Sequence, residues 1–272
     1  EKYIIPCMIW VTNMEDDNAI CRQVVVDLQE LYGKKIAPLH LPIRENGQFV
    51  GYVNVIQMKA KRWKEDGTVD KTDVPDYSFE NLEICREALL ESVAETSEEY
   101  MDRYFSGDTF SENEIRQVLH TNVCDGSMVP ISMASGTMAK GIYTLLDDIV
   151  KYLPSPEKKQ CKAINIKTNE VYDADFNFAK AKSAYIFKTI VDPFIGKYSL
   201  IKVTSGVIKT DDVMYNEEHG MDDKIGKFYV LRGNKPEAVP ELHAGEIGAL
   251  PTLNKVDTTD TQSTTTTPLT LI

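Results

Sequence analysis

The first residues of the chain combine an unbroken apolar run with an apolar pattern of helical spacing. The run extends from Ile4 to Val11, and such a stretch is typical of a buried parallel strand. A polar loop over 12–18 follows. Apolar residues then recur three or four positions apart until Gly33, which predicts an amphipathic helix that ends at the glycine. Strand, loop and helix form half of a βαβ unit. The predicted apolar face of the helix is Ile20, Val24, Leu28 and Leu31.

The pattern then changes to short β-rich runs separated by Asn-Gly and Asp-Gly turn pairs, which predicts strands over 36–41, 49–56 and 59–63. Helical periodicity follows Ser78 and predicts one long helix. Ser111 and Glu114 have the spacing of a capping box, in which each side chain satisfies a free backbone amide, so a second helix should begin there. The predicted apolar face of the long helix is Phe79, Leu82, Leu89, Val93 and Tyr100.

Strand character resumes at Val129–Met133, and Gly141 then precedes a helix with a one-sided apolar pattern. The segment Pro154-Ser155-Pro156 should end that helix, because proline cannot continue it. Only two parallel-type strands are predicted here, fewer than a doubly wound sheet needs. We therefore interpret this α/β part as the closing portion of a larger sheet, interrupted by an insertion. The predicted apolar face of the last helix is Ile142, Leu145, Leu146, Ile149, Val150 and Leu153.

Behind the Pro-Ser-Pro segment the period becomes two and β-branched residues dominate, which predicts a β-barrel of short strands. The Thr-rich stretch Thr258–Thr267 is interpreted as a polar loop before a last strand, Leu269–Ile272. The other strands are predicted at 163–166, 183–191, 198–205, 212–215, 224–232 and 246–253.

Charge and cysteine content narrow the classes of function. The net charge is −12, and residues 1–156 hold 15 Lys/Arg against 26 Asp/Glu, whereas residues 157–272 hold 15 against 16. An RNA contact is therefore expected only in the second part. No apolar run approaches the length of a membrane helix. Five cysteines without a CxxC pair suit reduced thiols, and the four scattered histidines suggest no metal site.

The predicted barrel carries four ordered motifs of a known family. They are Ala184–Lys197 (AYIFKTIVDPFIGK), Lys202–Gly206 (KVTSG), Lys224–Lys227 (KIGK) and Glu241–Ala249 (ELHAGEIGA). They resemble successive segments of domain II of elongation factor G. The first part agrees, since Trp10–Ala19, Pro38–Ile43, Val129–Gly136 and Lys151–Pro156 resemble that family's guanine box, insertion start, second guanine loop and YLPSP exit.

The resemblance implies a guanine-base site at Thr12, Asn13, Glu15, Ser135 and Gly136. The family's NKxD box accepts two hydrogen bonds from guanine through its aspartate, a charge-assisted pairing that rejects adenine. Here Thr12, Asn13 and Glu15 stand at the three defined places, so the carboxylate is one methylene longer and the lysine stem is lost. Either the altered pocket still binds guanine nucleotide in the full-length protein, or it is retained as scaffold.

The phosphate-binding half is missing from the sequence, because no GxxxxGK[ST] motif occurs. Positioning and charge stabilisation supply nearly all catalysis of phosphoryl transfer. We therefore expect no catalytic residue and no GTP hydrolysis in this chain alone, and we interpret it as an internal piece of a longer protein. The resemblance implies GTP or GDP and Mg²⁺ in that protein, with none bound to this piece.

The resemblance also implies a ribosomal partner for the barrel, both ribosomal RNA and ribosomal proteins. Arg232, Lys197 and Lys202 are candidate phosphate contacts, although they are equally well ordinary solvated charges. No membrane and no DNA partner are expected, and the implied location is the cytoplasm.

The expected fold is multidomain. Residues 1–33 and 123–156 would form the C-terminal part of a P-loop GTPase domain, 34–122 an α+β insertion, and 157–272 an all-β translation-factor barrel. The implied function is that of a ribosomal GTPase driving translocation of tRNA and mRNA. A non-hydrolysing or ribosomal-protection-type paralogue with a degenerate guanine site is the alternative. A release-factor-type GTPase is less consistent with the DPFIGK hairpin.

Overall fold

A computed structural model of the chain describes residues 5–64, 66, 68–158, 161–192, 196–233, 235–251 and 256–271. The chain divides into two compact units, Glu1–Pro154 and Ser155–Ile272. Unit 1 contains, in chain order, β1 (Ile9–Val11), α1 (Cys21–Tyr32), β2 (Ile36–Pro38), β3 (His40–Glu45), β4 (Gln48–Asn54), β5 (Lys59–Trp63), β6 (Val69–Thr72), α2 (Phe79–Ala94), α3 (Glu98–Phe105), α4 (Glu112–Cys124), β7 (Val129–Met133) and α5 (Ile142–Tyr152).

Unit 1 has a parallel sheet of three strands in the order β1-β7-β2. The prediction of two parallel strands was wrong, because the segment predicted as one strand over 36–41 divides. Ile36–Pro38 pairs with β7, and the chain then turns at Leu39 to begin the antiparallel sheet at His40. The first strand is also shorter than the predicted Ile4–Val11, with Ile4 outside the described residues.

The four-stranded antiparallel sheet β3-β4-β5-β6 and helices α2 and α4 share one continuous hydrophobic core with the parallel sheet. Ile131 of the parallel sheet, Phe49 of the antiparallel sheet and Leu89 of α2 are all fully buried in it. Residues 34–122 therefore pack as part of unit 1, since apolar side chains of both segments lose contact with water together.

The predicted long helix is divided into α2 and α3. Ser97 caps α3 by accepting a hydrogen bond of 3.2 Å from the backbone N–H of Tyr100, and the Thr96 hydroxyl donates to the carbonyl of Val93. Hydroxyl side chains of this kind compete with the helical backbone bonds, and here they start a new helix. Phe79, predicted on the buried face, is 45% exposed.

The apolar faces predicted for α1 and α5 were wrong. In α1 the buried residues are Cys21 and Val25, whereas Ile20 and Leu31 are exposed. The contact of 3.1 Å between the Cys21 thiol and the Met133 sulfur belongs to this buried face. In α5 the buried residues are Asp148 and Tyr152, and the apolar stripe turns outward: Leu146, Ile149 and Val150 are exposed.

Among the helices that the structure describes, none has the length and apolarity to cross a membrane.

Unit 2 is built almost entirely of strands. They are β8 (Lys162–Asn165), β9 (Glu170–Asp173), β10 (Ser183–Asp192), β11 (Gly196–Ser205), β12 (Val207–Lys209), β13 (Val213–Asn216), β14 (Met221–Lys224), β15 (Phe228–Arg232), β16 (Lys235–Val239), β17 (Glu241–His243), β18 (Ile247–Pro251), β19 (Thr261–Ser263) and β20 (Leu269–Leu271).

Eight of these strands form one antiparallel sheet in the order β14-β13-β19-β10-β11-β18-β15-β16. Two smaller sheets, β12-β17 and β20-β8-β9, complete the unit. The residues that line its core include Ile186, Ile201 and Phe228, each with no exposed surface. The unit is therefore rich in antiparallel sheet around one core, as the barrel prediction requires. Pro193, Phe194 and Ile195 of the predicted DPFIGK hairpin lie outside the described residues.

The interpretation of Thr258–Thr267 as a polar loop was wrong, because β19 lies inside it. This strand is fully buried and pairs with β10 on one edge and β13 on the other. The polar residues of this region have partners, such as the Asn216 amide, which donates to Asp260 at 2.9 Å, and the Ser263 hydroxyl, which accepts from the Leu269 N–H at 3.1 Å. A buried polar strand lacks the alternation of apolar and polar residues by which strands are predicted.

Candidate functional site

The two predicted guanine loops meet at one edge of the parallel sheet. Strands β1 and β7 are adjacent and parallel, so the loops that follow them leave at the same end. Two backbone hydrogen bonds join the loops: the Ala134 N–H donates to Val11 at 3.0 Å, and the Met14 N–H donates to Ala134 at 3.3 Å. The structure thus brings Glu15 of the first loop beside Ser135 of the second.

The first loop is held in shape from three sides. Asn13 has a left-handed backbone with φ of 61°, and Met14 inserts its side chain into the core with 2% exposure. The Arg44 guanidinium, from the end of β3, donates to the carbonyl oxygen of Met14 at 2.9 Å and to that of Asp16. The insertion therefore supplies the cation that fixes this loop, because one planar guanidinium serves two carbonyls.

The Glu15 carboxylate is hydrogen-bonded within the site. Its Oε1 atom accepts a hydrogen bond from the Thr137 hydroxyl, and the Thr137 oxygen lies 3.3 Å from the Ser135 hydroxyl. The other oxygen, Oε2, is shielded from solvent and has no hydrogen-bond partner among the described residues. The Thr137 bond above all, and then Ser135, lower the pKa of Glu15 below its ordinary value. The carboxylate is therefore ionised at neutral pH, with one oxygen engaged.

The remaining candidates of this site occupy different positions. Ser135 is fully buried and accepts the Met138 N–H at 3.1 Å, so its side chain shapes the second loop. Thr12 and Asn13 are exposed at the mouth. Gly136 is exposed too, and a methyl group added to it would meet open space. A flat base can therefore approach the loops past Gly136.

Three cations of unit 2 do not form one patch. Lys197 and Lys202 lie on β11, which pairs without a bulge between them, and five residues along a strand place two side chains on opposite faces. Lys202 lies over the ring of Phe176 at 5.4 Å, and Arg232 pairs with Glu237 at 3.2 Å. Through β18, Arg232 falls on the face of Lys197. Any flat RNA surface would contact one set or the other.

A second cluster of perturbed groups lies inside unit 1. The Nδ1 atom of His40 is 2.9 Å from the Ser132 hydroxyl, which lies 3.3 Å from the Asp148 carboxylate. Burial, together with Lys61 and Lys151, lowers the pKa of His40 to about 3, and burial raises the pKa of Asp148 to about 6. Ser132 is 1% exposed and separates the histidine from the aspartate, so the group is no accessible nucleophile with an oriented base.

Comparison with known proteins defines the class. Residues 181–265 match the sequence family described as Elongation factor G domain 2. Over 97% of its length the chain is similar to a Thermus thermophilus protein of known crystal structure, with 26% sequence identity and a TM-score of 0.75. The chain spans 37% of the length of that protein. These matches place it among the translation elongation factors. Within them it is an elongation factor G sequence, and residues 181–265 are its domain 2.

Two residues of the site escaped prediction from the sequence. Arg44 reaches the first loop from a strand some thirty positions later in the chain, and no pattern joins the two. Thr137 follows directly on Ser135 and Gly136, so its proximity was visible in the sequence, but its bond to Glu15 depends on the longer side chain of glutamate.

Proposed function

We propose that this chain is part of a ribosomal GTPase of the elongation factor G type. In this proposal the loops at Thr12–Glu15 and Ser135–Gly136 bind the guanine base, and unit 2 docks on the ribosome. The protein would act in the cytoplasm, where GTP drives the movement of tRNA and mRNA. The match of residues 181–265 to elongation factor G domain 2 supports the ribosomal part of this proposal.

The observation that carries the base site is the placement of an ionised carboxylate where the two loops meet. Glu15 lies beside the second loop, its pKa is lowered, and its Oε2 atom lacks a partner among the described residues. A buried acceptor without a partner is costly, and a donor on a ligand removes that cost. Guanine presents two such donors on one edge, its ring N–H and its exocyclic amino group, whereas adenine presents an acceptor at the ring position.

Phosphate and Mg²⁺ binding requires residues that this sequence does not contain. No GxxxxGK[ST] motif is present to wrap the phosphates in backbone amides or to supply the hydroxyl for Mg²⁺. The residues present fit the base and not the phosphates. We therefore expect this chain alone to show no GTP hydrolysis and no measurable GDP affinity, and a micromolar dissociation constant for this chain would contradict the second expectation.

The proposal is tested by nucleotide titration of the full-length protein, with fluorescence or calorimetry as the readout. GDP should bind more tightly than ADP, and Glu15→Gln should weaken GDP binding by about tenfold or more, because the amide places a donor opposite the donors of guanine. Asp17→Asn is the matched control, since Asp17 lies in the same loop with its side chain 82% exposed. Equal binding of GDP and ADP would sink guanine specificity.

A specific observation favours one alternative, a ribosome-binding paralogue that does not hydrolyse GTP. Thr12 and Asn13 depart from the family's box, and the Glu15 carboxylate is already engaged by Thr137. Such a protein would sediment with ribosomes equally well with GTP, GDP or no nucleotide. The GTPase proposal instead requires that ribosome binding depend on the nucleotide.

A further inference from the structure

We propose that Thr137 sets which purine the site accepts. By holding one oxygen of the Glu15 carboxylate, it leaves a single acceptor for the base, so that hypoxanthine nucleotides bind as tightly as guanine nucleotides. This inference rests on the base site proposed above and assigns a selectivity-determining residue within it.

The geometry begins with a relay of three side chains across the two loops. The backbone N–H of Met138 donates to the Ser135 hydroxyl oxygen at 3.1 Å, and the Ser135 and Thr137 hydroxyls are 3.3 Å apart. The Thr137 hydroxyl donates onward to Oε1 of Glu15. Because a hydroxyl has one proton and the carboxylate is the stronger acceptor, the Thr137 proton is committed to Glu15 and the Ser135 proton points to Thr137.

The longer side chain of Glu15 makes this relay possible. The loop backbone is pinned by Met14 in the core and by Arg44 on the carbonyls of Met14 and Asp16, so the carboxylate position is set by the side chain. One methylene more than aspartate carries the carboxylate to Thr137. Oε2 is the one carboxylate oxygen of Glu15 without a partner among the described residues.

One acceptor changes the chemistry of base selection. Guanine offers a ring N–H and an amino N–H, which require both oxygens of a carboxylate. Hypoxanthine offers the ring N–H alone, and a single oxygen satisfies it. The exocyclic amino group then finds Oε1 already occupied and adds no affinity. Adenine is still rejected, because its ring nitrogen is an acceptor that faces the acceptor Oε2. The site should therefore distinguish N–H from N at the ring position and ignore the amino group.

The test compares GDP with IDP, the diphosphate of inosine, in competition titrations of the full-length protein. Wild type should bind the two within about threefold of each other. Thr137→Val removes the hydroxyl at nearly constant shape and frees Oε1, so it should prefer GDP by about tenfold, the value of one recovered hydrogen bond. Thr137→Ser is the matched control, because it keeps the hydroxyl and should keep the wild-type ratio.

A second measurement on this chain reads the Thr137–Glu15 bond without any nucleotide. Carbon-13 NMR titration of the Glu15 carboxylate should give a pKa below the ordinary value in wild type and in Thr137→Ser, and a higher pKa in Thr137→Val. Thr137 lies in an exposed turn, so both variants should fold. An unchanged pKa in the valine variant would overturn the assigned bond.

The two proposals fail in different ways. A wild-type preference of about tenfold or more for GDP over IDP leaves the base site standing and overturns the role of Thr137. An unchanged GDP-to-IDP ratio in Thr137→Val does the same. If the full-length protein binds none of the nucleotides, the base site itself is refuted and the selectivity inference falls with it.

Discussion

His40 and Asp148 lie 3.6 Å apart in the core of unit 1, and their pKa values move in opposite directions for one reason. Burial disfavours the charged form of each, so the histidine loses its proton and the carboxyl retains one to a higher pH. With a pKa of about 3 the histidine is neutral, and the contact is a hydrogen-bonded chain through Ser132 rather than an ion pair. Lys61, Lys151 and Asp147 are the charges that act on the group.

Replacing Asp148 with asparagine should make unit 1 less stable in acid relative to wild type. Asp148 has a folded pKa of about 6 against an ordinary 3.8, so its contribution is complete below 3.8 and is lost as pH rises through 6. His40 has a folded pKa of about 3 against 6.5, so its contribution is present above 6.5 and is lost as pH falls towards 3. Between about pH 4 and 6 the two oppose each other. Asparagine leaves the contribution of His40 alone.

The measurement is the free energy of unfolding from urea titrations at several pH values. Asp148→Asn should lose up to about 1.4 kcal/mol per pH unit relative to wild type across that window. Asp147→Asn is the matched control, because Asp147 lies next along the same helix with its side chain 73% exposed. Its curve should run parallel to wild type. A parallel curve for Asp148→Asn would contradict the raised pKa.

How far the site was readable from sequence also depends on single residues. The spacing after two parallel strands predicted that Glu15 and Ser135 would lie together, because adjacent parallel strands deliver their following loops to one edge. The reach of glutamate to Thr137 was not readable, since it depends on a side-chain conformation. Nor was Arg44, which reaches the loop from the insertion. Contacts made through space by one long side chain leave no periodic signal.

At the scale of elements, the ends of helices were more predictable than their faces. The start of α4 follows from two residues, Ser111 and Glu114, whose capping box is present as predicted. The buried faces of α1 and α5 do not follow from their apolar stripes, because a helix turns towards whatever its neighbours offer. In α5 the Thr144 hydroxyl lies 2.9 Å from that of Tyr52, and Asp148 bonds Ser132, so polar contacts face inward and apolar residues face out.

The capping box gives a direct prediction for α4. Ser111→Ala removes the hydroxyl that accepts the N–H of Glu114 at 3.2 Å, so the helix start loses one satisfied amide. The free energy of unfolding should fall by about 1 kcal/mol, measured by urea denaturation. Ser111→Thr keeps a hydroxyl and should lose less than half of that. Equal losses in both variants would show that the effect is not the cap.

The outward apolar stripe of α5 is checked by a matched pair of leucines on two helices of unit 1. Leu119 in α4 has no exposed surface, and Leu119→Ala should destabilise the unit by about 2–5 kcal/mol, because it leaves a cavity. Leu146 in α5 is 52% exposed, and Leu146→Ala should cost less than about 1 kcal/mol. Chemical denaturation of both variants decides the matter. A large loss for Leu146→Ala would mean that the face is covered.

At the scale of the whole molecule, charge and sequence similarity separate the two units in the same way. The excess of acidic residues lies before residue 157, and the match to elongation factor G domain 2 lies after it, at 181–265. Phosphate contacts belong on a surface without net negative charge. Any RNA contact is therefore assigned to unit 2, and its strand register limits which cations act together.

The alternation of side chains along β11 turns that limit into a prediction about ribosome binding. Lys202 lies on one face of the sheet, and Lys197 and Arg232 lie on the other. If one face lies on ribosomal RNA, then either Lys202→Ala or the pair Lys197→Ala with Arg232→Ala should weaken binding, but not both. The plot of log affinity against log salt should become shallower by about 0.7–0.9 for each phosphate that the variant no longer neutralises. Lys235→Ala is the control, since Lys235 is an exposed cation beyond the end of β15. Sedimentation with ribosomes over a range of salt concentrations measures the slope. Equal changes for both sets would require RNA on two faces at once, and unchanged slopes for both would remove these three residues from the interface.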